Sequence, residues 1–144
     1  MKWLLGLCAL IALSAVISRG LSATSKPRTP LGSDAGLSPC PSTPNCVSSL
    51  ASDDKAIDPL PLKRMDDWAK LLTAMGARVI TKSERYLHAT FTTPLMGYVD
   101  DLELWHDADA SAEPSATHVK STSRLGHSDL GANRKRVEAI RAKS

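Results

Sequence analysis

The stretch from residue 61 to residue 142 changes its hydrophobic period twice, and this pattern constrains the fold more than any other feature. Apolar residues first recur at helical spacing between Pro61 and Gly76: Leu62, Met65, Trp68, Leu71, Leu72 and Met75. Asp66 and Asp67 suit the N-terminal end of this helix, and Gly76 provides a stop. We therefore predict an amphipathic helix that packs one face on a sheet.

Three segments with strand-like alternation follow this helix, at about Arg78–Thr93, Gly97–His106 and Thr117–Leu125. The connections between them, TPLMG and the Ala/Asp/Ser/Pro-rich DADASAEPSA, are short, which favours an antiparallel meander. KAIDPL, residues 55–60, is a candidate for a fourth strand at the edge. The predicted fold class is α+β: a small antiparallel sheet of three to four strands packed with two helices, after an irregular N-terminal segment.

The last helix, predicted from about residue 128 or 129 to residue 142, has an amide inside its apolar stripe. At about 100° per residue, Asn133 falls between Val137 and Ile140 on the helical wheel. An unpartnered amide in a buried position costs roughly 1–3 kcal/mol, so Asn133 needs hydrogen-bonding partners on the surface that the helix covers. We predict that Asn133 and its neighbours bind this helix to the Arg124 turn and to the strand of Asp100.

The N-terminus has the plan of a secretory signal. Lys2 precedes an apolar run from Trp3 to Ile17, and Gly20 and Ser22 then form the small-x-small pattern of a cleavage site. We predict export to the periplasm, with the signal peptide cleaved after Ser22 or retained as an N-terminal anchor. An anchor would associate the protein with the membrane through its apolar segment.

The predicted boundaries divide the chain into the signal or anchor at 1–22, a flexible tether at 23–38 and a single α+β domain at 39–144. The first segment carries Lys2 and Arg19 and no acid, so its removal lowers the formal charge from +3 to +1. This small charge, without interleaved aromatic residues, excludes nucleic acid as an expected partner. About 120 residues suffice for one hydrophobic core.

Cys40 and Cys46 are the two cysteines beyond the N-terminal segment, in the motif CPSTPNC. An oxidising compartment favours a disulfide between them. Zinc is the alternative, but two sulfurs without a clear pair of further ligands make a weak site.

Polar residues concentrate at the turn between the last strand and the last helix, which we take as the candidate ligand-binding site. Its residues are Ser123, Arg124, Ser128, Asp129, Asn133 and Arg136. A glycine-bearing turn that leads into a helix N-terminus, with arginines beside it, suits a small anionic ligand. In the structural alternative, Asp129 already occupies the helix amides and the arginines pair with Asp100, Asp101 or Glu103.

An enzymatic alternative uses the motif YVDDLELWHD. There Asp100, Asp101 and Glu103, with one histidine nearby, could support a metal-assisted hydrolase. Alternation places Asp101 and Glu103 together on one face of the strand, as a weak candidate metal pair, or as an ordinary solvated edge. In the latter case Asp100 is the expected partner of Arg124 on the neighbouring strand. We find no nucleophile elbow for a Ser-His mechanism.

Three motifs in fixed order resemble one family, the domain of unknown function 1499, found in uncharacterised proteins of bacteria and plant plastids. They are LSPCPSTPNCVSS at 37–49, GYVDDLEL at 97–104 and STSRLGHSDLGANRKRVEAIR at 121–141. Positions that fit the family pattern include Asn45, Asp101 and Asn133. The resemblance implies a shared fold, but no reaction, ligand or catalytic residue.

The leading functional hypothesis is therefore an exported cell-envelope protein that does not catalyse a reaction. It would bind a small anionic ligand or an envelope protein through the turn between Arg124 and Arg136, and no cofactor is predicted. The metal-assisted hydrolase is the alternative.

Overall fold

The computed structural model describes residues 2–107 and 116–144. The elements in chain order are α1 (Lys2–Ala23), β1 (Cys46–Ser48), α2 (Met65–Ala74), β2 (Arg78–Lys82), β3 (Tyr86–Thr92), β4 (Val99–Trp105), β5 (His118–Ser123) and α3 (Ala132–Arg141). The fold class is α+β, as predicted. Most of the predicted DADASAEPSA connection lies outside the described residues.

The five strands form one antiparallel sheet in the order β1-β5-β4-β3-β2. β2 to β5 make the predicted meander, and β1 adds a strand beside β5 at the opposite edge from β2. The sheet therefore has more strands than the three to four expected. KAIDPL contributes two isolated bridges, Ala56 with Ser48 and Leu60 with Thr117, rather than a strand.

The predicted single strand over residues 78–93 is wrong, because the chain turns back within it. β2 and β3 form a hairpin whose turn is held by Ser83: its hydroxyl accepts hydrogen bonds from the backbone N–H of Arg85 and Tyr86. The backbone of Ser83 also donates to the carbonyl of Tyr86 at 2.8 Å. Ser and Thr turns of this kind have only a weak sequence signal.

The hydrophobic core lies between one face of the sheet and the helices α2 and α3. Trp68 of α2, Leu102 of β4 and Val137 of α3 are fully buried there. Trp68 also donates its indole N–H to the Thr117 hydroxyl at 3.0 Å, so its polar atom is satisfied inside the core. We call this side of the sheet the helix face.

Both helices begin later than their hydrophobic patterns suggested. α2 begins at Met65 after an extended Arg64, because the proline-containing segment before it keeps an irregular backbone. α3 begins at Ala132 rather than at residue 128 or 129, because Leu130 and Gly131 have φ values of 53° and 79°. Residues in this left-handed region cannot form part of a right-handed helix.

Residues 25–34 run across the other face of the sheet, and we call them the cover. Ser25, Pro27 and Thr29 are half-buried, while the residues between them are exposed. The segment predicted as a flexible tether thus includes residues in contact with β4 and β5. The proposed domain boundaries remain predictions.

α1 contacts the loop between β3 and β4. Ser18 donates to the carbonyl of Met96 at 2.9 Å, and the buried Ser22 accepts from the backbone N–H of Val99 at 3.0 Å. Seven large apolar side chains of α1 are exposed: Leu7, Leu10, Ile11, Leu13, Val16, Ile17 and Leu21. Within the described residues, no helix combines the length and the hydropathy needed to cross a bilayer.

Cys40 and Cys46 form the predicted disulfide, with 5.8 Å between their Cα atoms. The bond closes the loop that leads into β1. Cys8 is a free and exposed thiol in α1.

Candidate functional site

Asn133 lies at the centre of a buried polar network that joins α3 to the sheet. Its side-chain oxygen accepts from the Ser121 hydroxyl at 2.6 Å. Its side-chain nitrogen lies 2.9 Å from the Ser123 hydroxyl, 2.7 Å from Asp129 Oδ2 and 3.1 Å from the carbonyl oxygen of Asn45. Asn133 has no exposed surface, so the prediction that its amide is buried and partnered is confirmed.

Asn45 is the member of this network that the hydrophobic patterns did not identify. Its side chain donates to the carbonyl of Gly126 at 2.9 Å, and its own carbonyl accepts from the backbone N–H of Ser123 at 3.0 Å. Asn45 thereby ties the segment before β1 to the last turn. Only its place in the family motif marked it, since the contact spans about 80 residues of sequence. We call Asn45, Ser121, Ser123, Asp129 and Asn133 the clamp.

Asp129 performs the capping role within the clamp. Its Oδ2 accepts from the backbone N–H of Asn133 at 2.8 Å, and its Oδ1 accepts from that of Gly131 at 3.1 Å. Ser128 accepts from the backbone of Leu130 at 3.2 Å. A carboxylate therefore occupies the helix N-terminus, where a bound anion would otherwise be stabilised.

Arg136 extends the clamp toward β4. It pairs with Asp100 at 2.5 Å, donates to Asn133 Oδ1 at 2.6 Å and lies over the ring of Phe91, 5.0 Å from its centroid. A cavity of about 370 Å³ opens beside this network, with Asp100 and Asp129 among its lining residues. The charge that faces this cavity is mainly negative.

Arg124 does not belong to this network, because it lies on the opposite face of the sheet. It forms two hydrogen bonds with Asp101, from Nη2 to Oδ1 at 2.8 Å and from Nε to Oδ2 at 2.9 Å. The prediction that Arg124 pairs with Asp100 is therefore wrong. Alternation along β4 places the two carboxylates on opposite faces of the sheet, so that Asp100 pairs with Arg136 and Asp101 pairs with Arg124.

Asp101 is the centre of the first charged group on this second face. His88 Nε2 lies 2.8 Å from Asp101 Oδ1, and the Asp101 side chain is completely buried. Burial of the Asp101 carboxyl opposes its ionisation, but the hydrogen bonds from His88 and Arg124 outweigh this effect and hold its pKa below the usual value.

Glu103 is the centre of the second group, two residues further along β4. Tyr86 donates to Glu103 Oε1 at 2.7 Å, and Lys120 Nζ lies 3.2 Å from Oε2. Neither Lys120 nor Glu103 has more than 1 % of its side chain exposed. Burial and the hydrogen bond to Glu103 raise the pKa of Tyr86, so the phenol keeps its proton. Asp101 is thus buried in an ion pair with Arg124, and Glu103 in an ion pair with Lys120. The interpretation of these two carboxylates as a solvated edge is wrong.

We call Tyr86, His88, Asp101, Glu103, Lys120 and Arg124 the polar face. Its four formal charges balance, with two acids and two bases. Among the described residues, His88 Nδ1 and Glu103 Oε2 have no hydrogen-bonding partner although they are buried; the Lys120 contact to Oε2 has the distance of an ion pair but not the angle of a hydrogen bond. The polar face therefore retains unused hydrogen-bonding capacity.

Neither carboxylate of the polar face is arranged as a metal ligand. Asp101 is shared by an arginine and a histidine, and Glu103 by a lysine and a tyrosine. In residues 2–107 and 116–144, no three histidine, cysteine or acidic side chains lie close enough together to hold a metal ion. Asp100 is on the other face, so the three carboxylates proposed for a hydrolase do not share one site.

A further cavity lies elsewhere, between the start of α2 and the β2–β3 turn. It has a volume of about 710 Å³ and includes His106 in its wall. Burial lowers the pKa of His106, and the nearby charge of Arg85 adds to this effect. None of the predicted site residues lines this cavity.

The fold and the site together define a small α+β domain with a polar clamp under its last helix and an ion-paired polar face on the other side. A family model described as "Protein of unknown function (DUF1499)" matches residues 36–143, about three quarters of the chain. The chain belongs to this family, which confirms the resemblance carried by its three motifs. The comparisons with curated proteins and with solved structures each find no match.

The clamp generates a stability prediction for Asn133→Leu. The substitution removes the Asn133 partner of the buried Ser123 hydroxyl, and an unpartnered buried group costs ~1–3 kcal/mol. It also removes one hydrogen bond each from Ser121 and from the Asn45 carbonyl, which keep other partners. We expect the free energy of unfolding, measured by urea denaturation, to fall by at least ~2 kcal/mol. Lys135→Leu, on the exposed side of the same helix, should change it by less than ~0.5 kcal/mol. Equal midpoints for the two variants would contradict the role assigned to Asn133.

The lowered pKa of Asp101 generates a prediction about pH. The pKa of Asp101 is lower in the folded state than in the unfolded state, so the ionised carboxylate stabilises the fold above about pH 4. This contribution to the free energy of unfolding is lost as the pH falls through the folded-state pKa. The stability lost on Asp101→Asn should therefore be greatest near neutral pH and shrink below about pH 4. Thermal unfolding of both proteins over a pH series measures this, with the exposed Asp54→Asn as control. A difference in unfolding temperature between the wild type and Asp101→Asn that stays constant with pH would contradict this prediction.

Proposed function

We propose that this chain is an exported, non-catalytic binding domain of the cell envelope, and that it binds a protein partner through the polar face. The observation that carries this proposal is the presence of two balanced ion-paired groups on a sheet face that no helix covers in residues 2–107 and 116–144. Lys120 and Glu103 in particular are enclosed by a short irregular segment of the chain rather than by the core.

Energetics support a binding role over a purely structural one. Removing two charges from water costs more than their attraction commonly returns, and apolar replacements of buried ion pairs are often neutral or stabilising by ~1–4 kcal/mol. A sheet face that only needed covering would be more stable with apolar residues. Groups with shifted pKa values, here Tyr86 and Asp101, are instead common at sites that bind something.

The charges at the last turn argue against a small anionic ligand there. Asp129 takes the amides at the start of α3, and Arg136 is neutralised by Asp100. Arg124, the other expected cation, lies on the opposite side of the sheet and is paired with Asp101. The clamp is accordingly a structural joint, and a protein partner is the better supported of the two ligand types.

The N-terminal segment supports export, and its contacts favour retention rather than removal. Ser18 and Ser22 hydrogen-bond to the loop that ends at Val99, so cleavage after Ser22 would break contacts between α1 and the domain. The exposed apolar side chains of α1 suit association with a membrane.

The disulfide gives a direct test of export. In protein recovered from cells and denatured without reductant, iodoacetamide should modify Cys8 but neither Cys40 nor Cys46, because an oxidising compartment forms the bond. Peptide mass spectrometry reads the result, and prior treatment with dithiothreitol should make all three thiols reactive. Modification of Cys40 and Cys46 without reductant would contradict export.

A pair of isosteric substitutions tests the binding role. Glu103→Gln with Lys120→Met removes both charges of the second group while it keeps side-chain volume and the Glu103 Oε1 contacts. The matched control is Lys135→Met with Glu138→Gln, which removes one exposed charge of each sign from α3. We expect the wild type and the control to retain the same cross-linked envelope protein, and the polar-face variant to retain at least tenfold less.

Thermal unfolding and equilibrium dialysis complete this test. The polar-face variant should unfold at or above the wild-type temperature, which excludes loss of the fold as the cause. Undiminished retention of the partner by a folded polar-face variant would overturn the proposal. Stoichiometric uptake of Mg²⁺, Mn²⁺ or Zn²⁺ that Asp101→Asn abolishes would favour the hydrolase instead.

A further inference from the structure

The cover is bound to the polar face by groups that almost any peptide carries. Arg124 donates to the carbonyl of Ser25 at 2.7 Å, and Glu103 accepts from the backbone N–H of Gly32 at 2.5 Å. Trp105, beside the polar face on β4, donates its indole N–H to the carbonyl of Asp34 at 3.1 Å. These three contacts use the main chain of the cover and not its side chains.

Side chains of the cover make further contacts, and the one with Lys120 requires only a hydroxyl. Lys120 Nζ lies 2.9 Å from Thr29 Oγ1. The charged side chains of the cover do not pair with the charges of the polar face: Lys26 is exposed, Arg28 donates to the Thr43 hydroxyl and to the backbone carbonyl of Arg124, and Asp34 bonds to Ser83. The charged side chains of the polar face thus contact neutral hydrogen-bonding groups of the cover.

The burial pattern of the cover shows which of its residues face the sheet. Burial alternates from Ser25 to Pro30, although the backbone bends at Arg28 and Thr29, so alternate residues face the sheet and solvent. Its contacts run from Arg124 at one end of β5 to Trp105 at the far end of β4, in the direction of β4. Main-chain groups of the cover meet side chains of the sheet at three points along this path, as main-chain groups do in many bound peptides.

We propose that the polar face is a binding site for a peptide segment rich in hydroxyl, proline and glycine residues, and that residues 25–34 occupy it as an intramolecular ligand. This inference rests on the proposed function and names the chemistry of the partner. A partner segment with a carbonyl, a hydroxyl and an N–H at the spacing of Ser25, Thr29 and Gly32 would take the place of the cover.

Two independent observations support an exchangeable occupant. Glu103 Oε2 and His88 Nδ1 are buried without hydrogen-bonding partners among the described residues, so the cover satisfies the polar face only in part. The cover also lies before the family domain, since the match begins at residue 36 and the last hydrogen bond to the sheet from the cover is at Asp34. The site and its present occupant therefore belong to different parts of the chain.

Gly32 provides a way to loosen the cover without altering the polar face. A Cβ at Gly32 would lie 2.5 Å from the carbonyl oxygen of Gly36 and 3.1 Å from Glu103 Oε1, and a backbone atom cannot move aside cheaply. Gly32→Ala in the full chain should therefore displace the cover. Gly20→Ala is the matched control, because nothing lies within 4 Å of a Cβ there.

The ligand in the test is a fluorescein-labelled peptide of residues 24–36, TSKPRTPLGSDAG. Fluorescence anisotropy should show saturable binding to Gly32→Ala that is at least tenfold tighter than binding to Gly20→Ala. In the control the attached cover competes at an effective concentration of roughly millimolar. A scrambled peptide of the same composition should bind Gly32→Ala at least tenfold more weakly, because the positions of the polar groups and not the net charge determine binding.

Hydrogen exchange measured by mass spectrometry reports whether the cover opens. Amides of residues 25–34 should exchange at least tenfold faster in Gly32→Ala than in Gly20→Ala, and the added peptide should slow exchange in β4 and β5. An open cover without saturable peptide binding would overturn the proposal. So would unchanged exchange, because the cover would then be held by contacts other than those assigned here, and so would equal binding of the scrambled peptide.

The outcomes separate this inference from the proposed function. If Gly32→Ala binds no peptide while Glu103→Gln with Lys120→Met still abolishes retention of the envelope partner, the polar face binds a protein by another mode. If Gly32→Ala forms a dimer on size-exclusion chromatography and the added peptide dissociates it, a second copy supplies the bound segment, which supports the peptide site.

Discussion

The pairing of β4 with β5 determines where each charged side chain of this domain lies. The register sets Asp100 opposite Ser123 on the helix face and Glu103 opposite Lys120 on the polar face. Because side chains alternate along a strand, the adjacent residues Asp100 and Asp101 enter two separate networks. A shift of one residue in this pairing would exchange the faces and leave both networks without partners.

The two networks solve different physical problems. The clamp provides hydrogen-bonding partners for the Asn133 side chain inside the contact between α3 and the sheet. It therefore fixes the position of the helix and leaves very few buried polar atoms without a partner. The polar face instead buries three charged side chains and half-buries a fourth, Arg124, and it leaves two buried polar atoms without a hydrogen bond among the described residues. Stability explains the first arrangement, whereas the second is better explained by a surface that has to recognise another molecule.

The predictions from sequence succeeded where the relevant forces are local. The alternation in β4 and β5 marked both strands to within two or three residues, and the position of Asn133 in an apolar stripe correctly indicated a buried, hydrogen-bonded amide. They failed where a partner lies far along the chain. Neither Asn45 nor the cover has any periodicity of its own, and both are ordered by contacts with β5 some 80 to 100 residues away.

The sequence by itself determined the α+β class, the disulfide and the family, because hydrophobic periods, cysteine spacing and motif order are properties of short segments. Only the tertiary structure decided that Arg124 pairs with Asp101 and Arg136 with Asp100, that the carboxylates of β4 are divided between two faces, and that residues 25–34 lie on one of them. These outcomes depend on strand register and on long-range contacts, which no local pattern specifies.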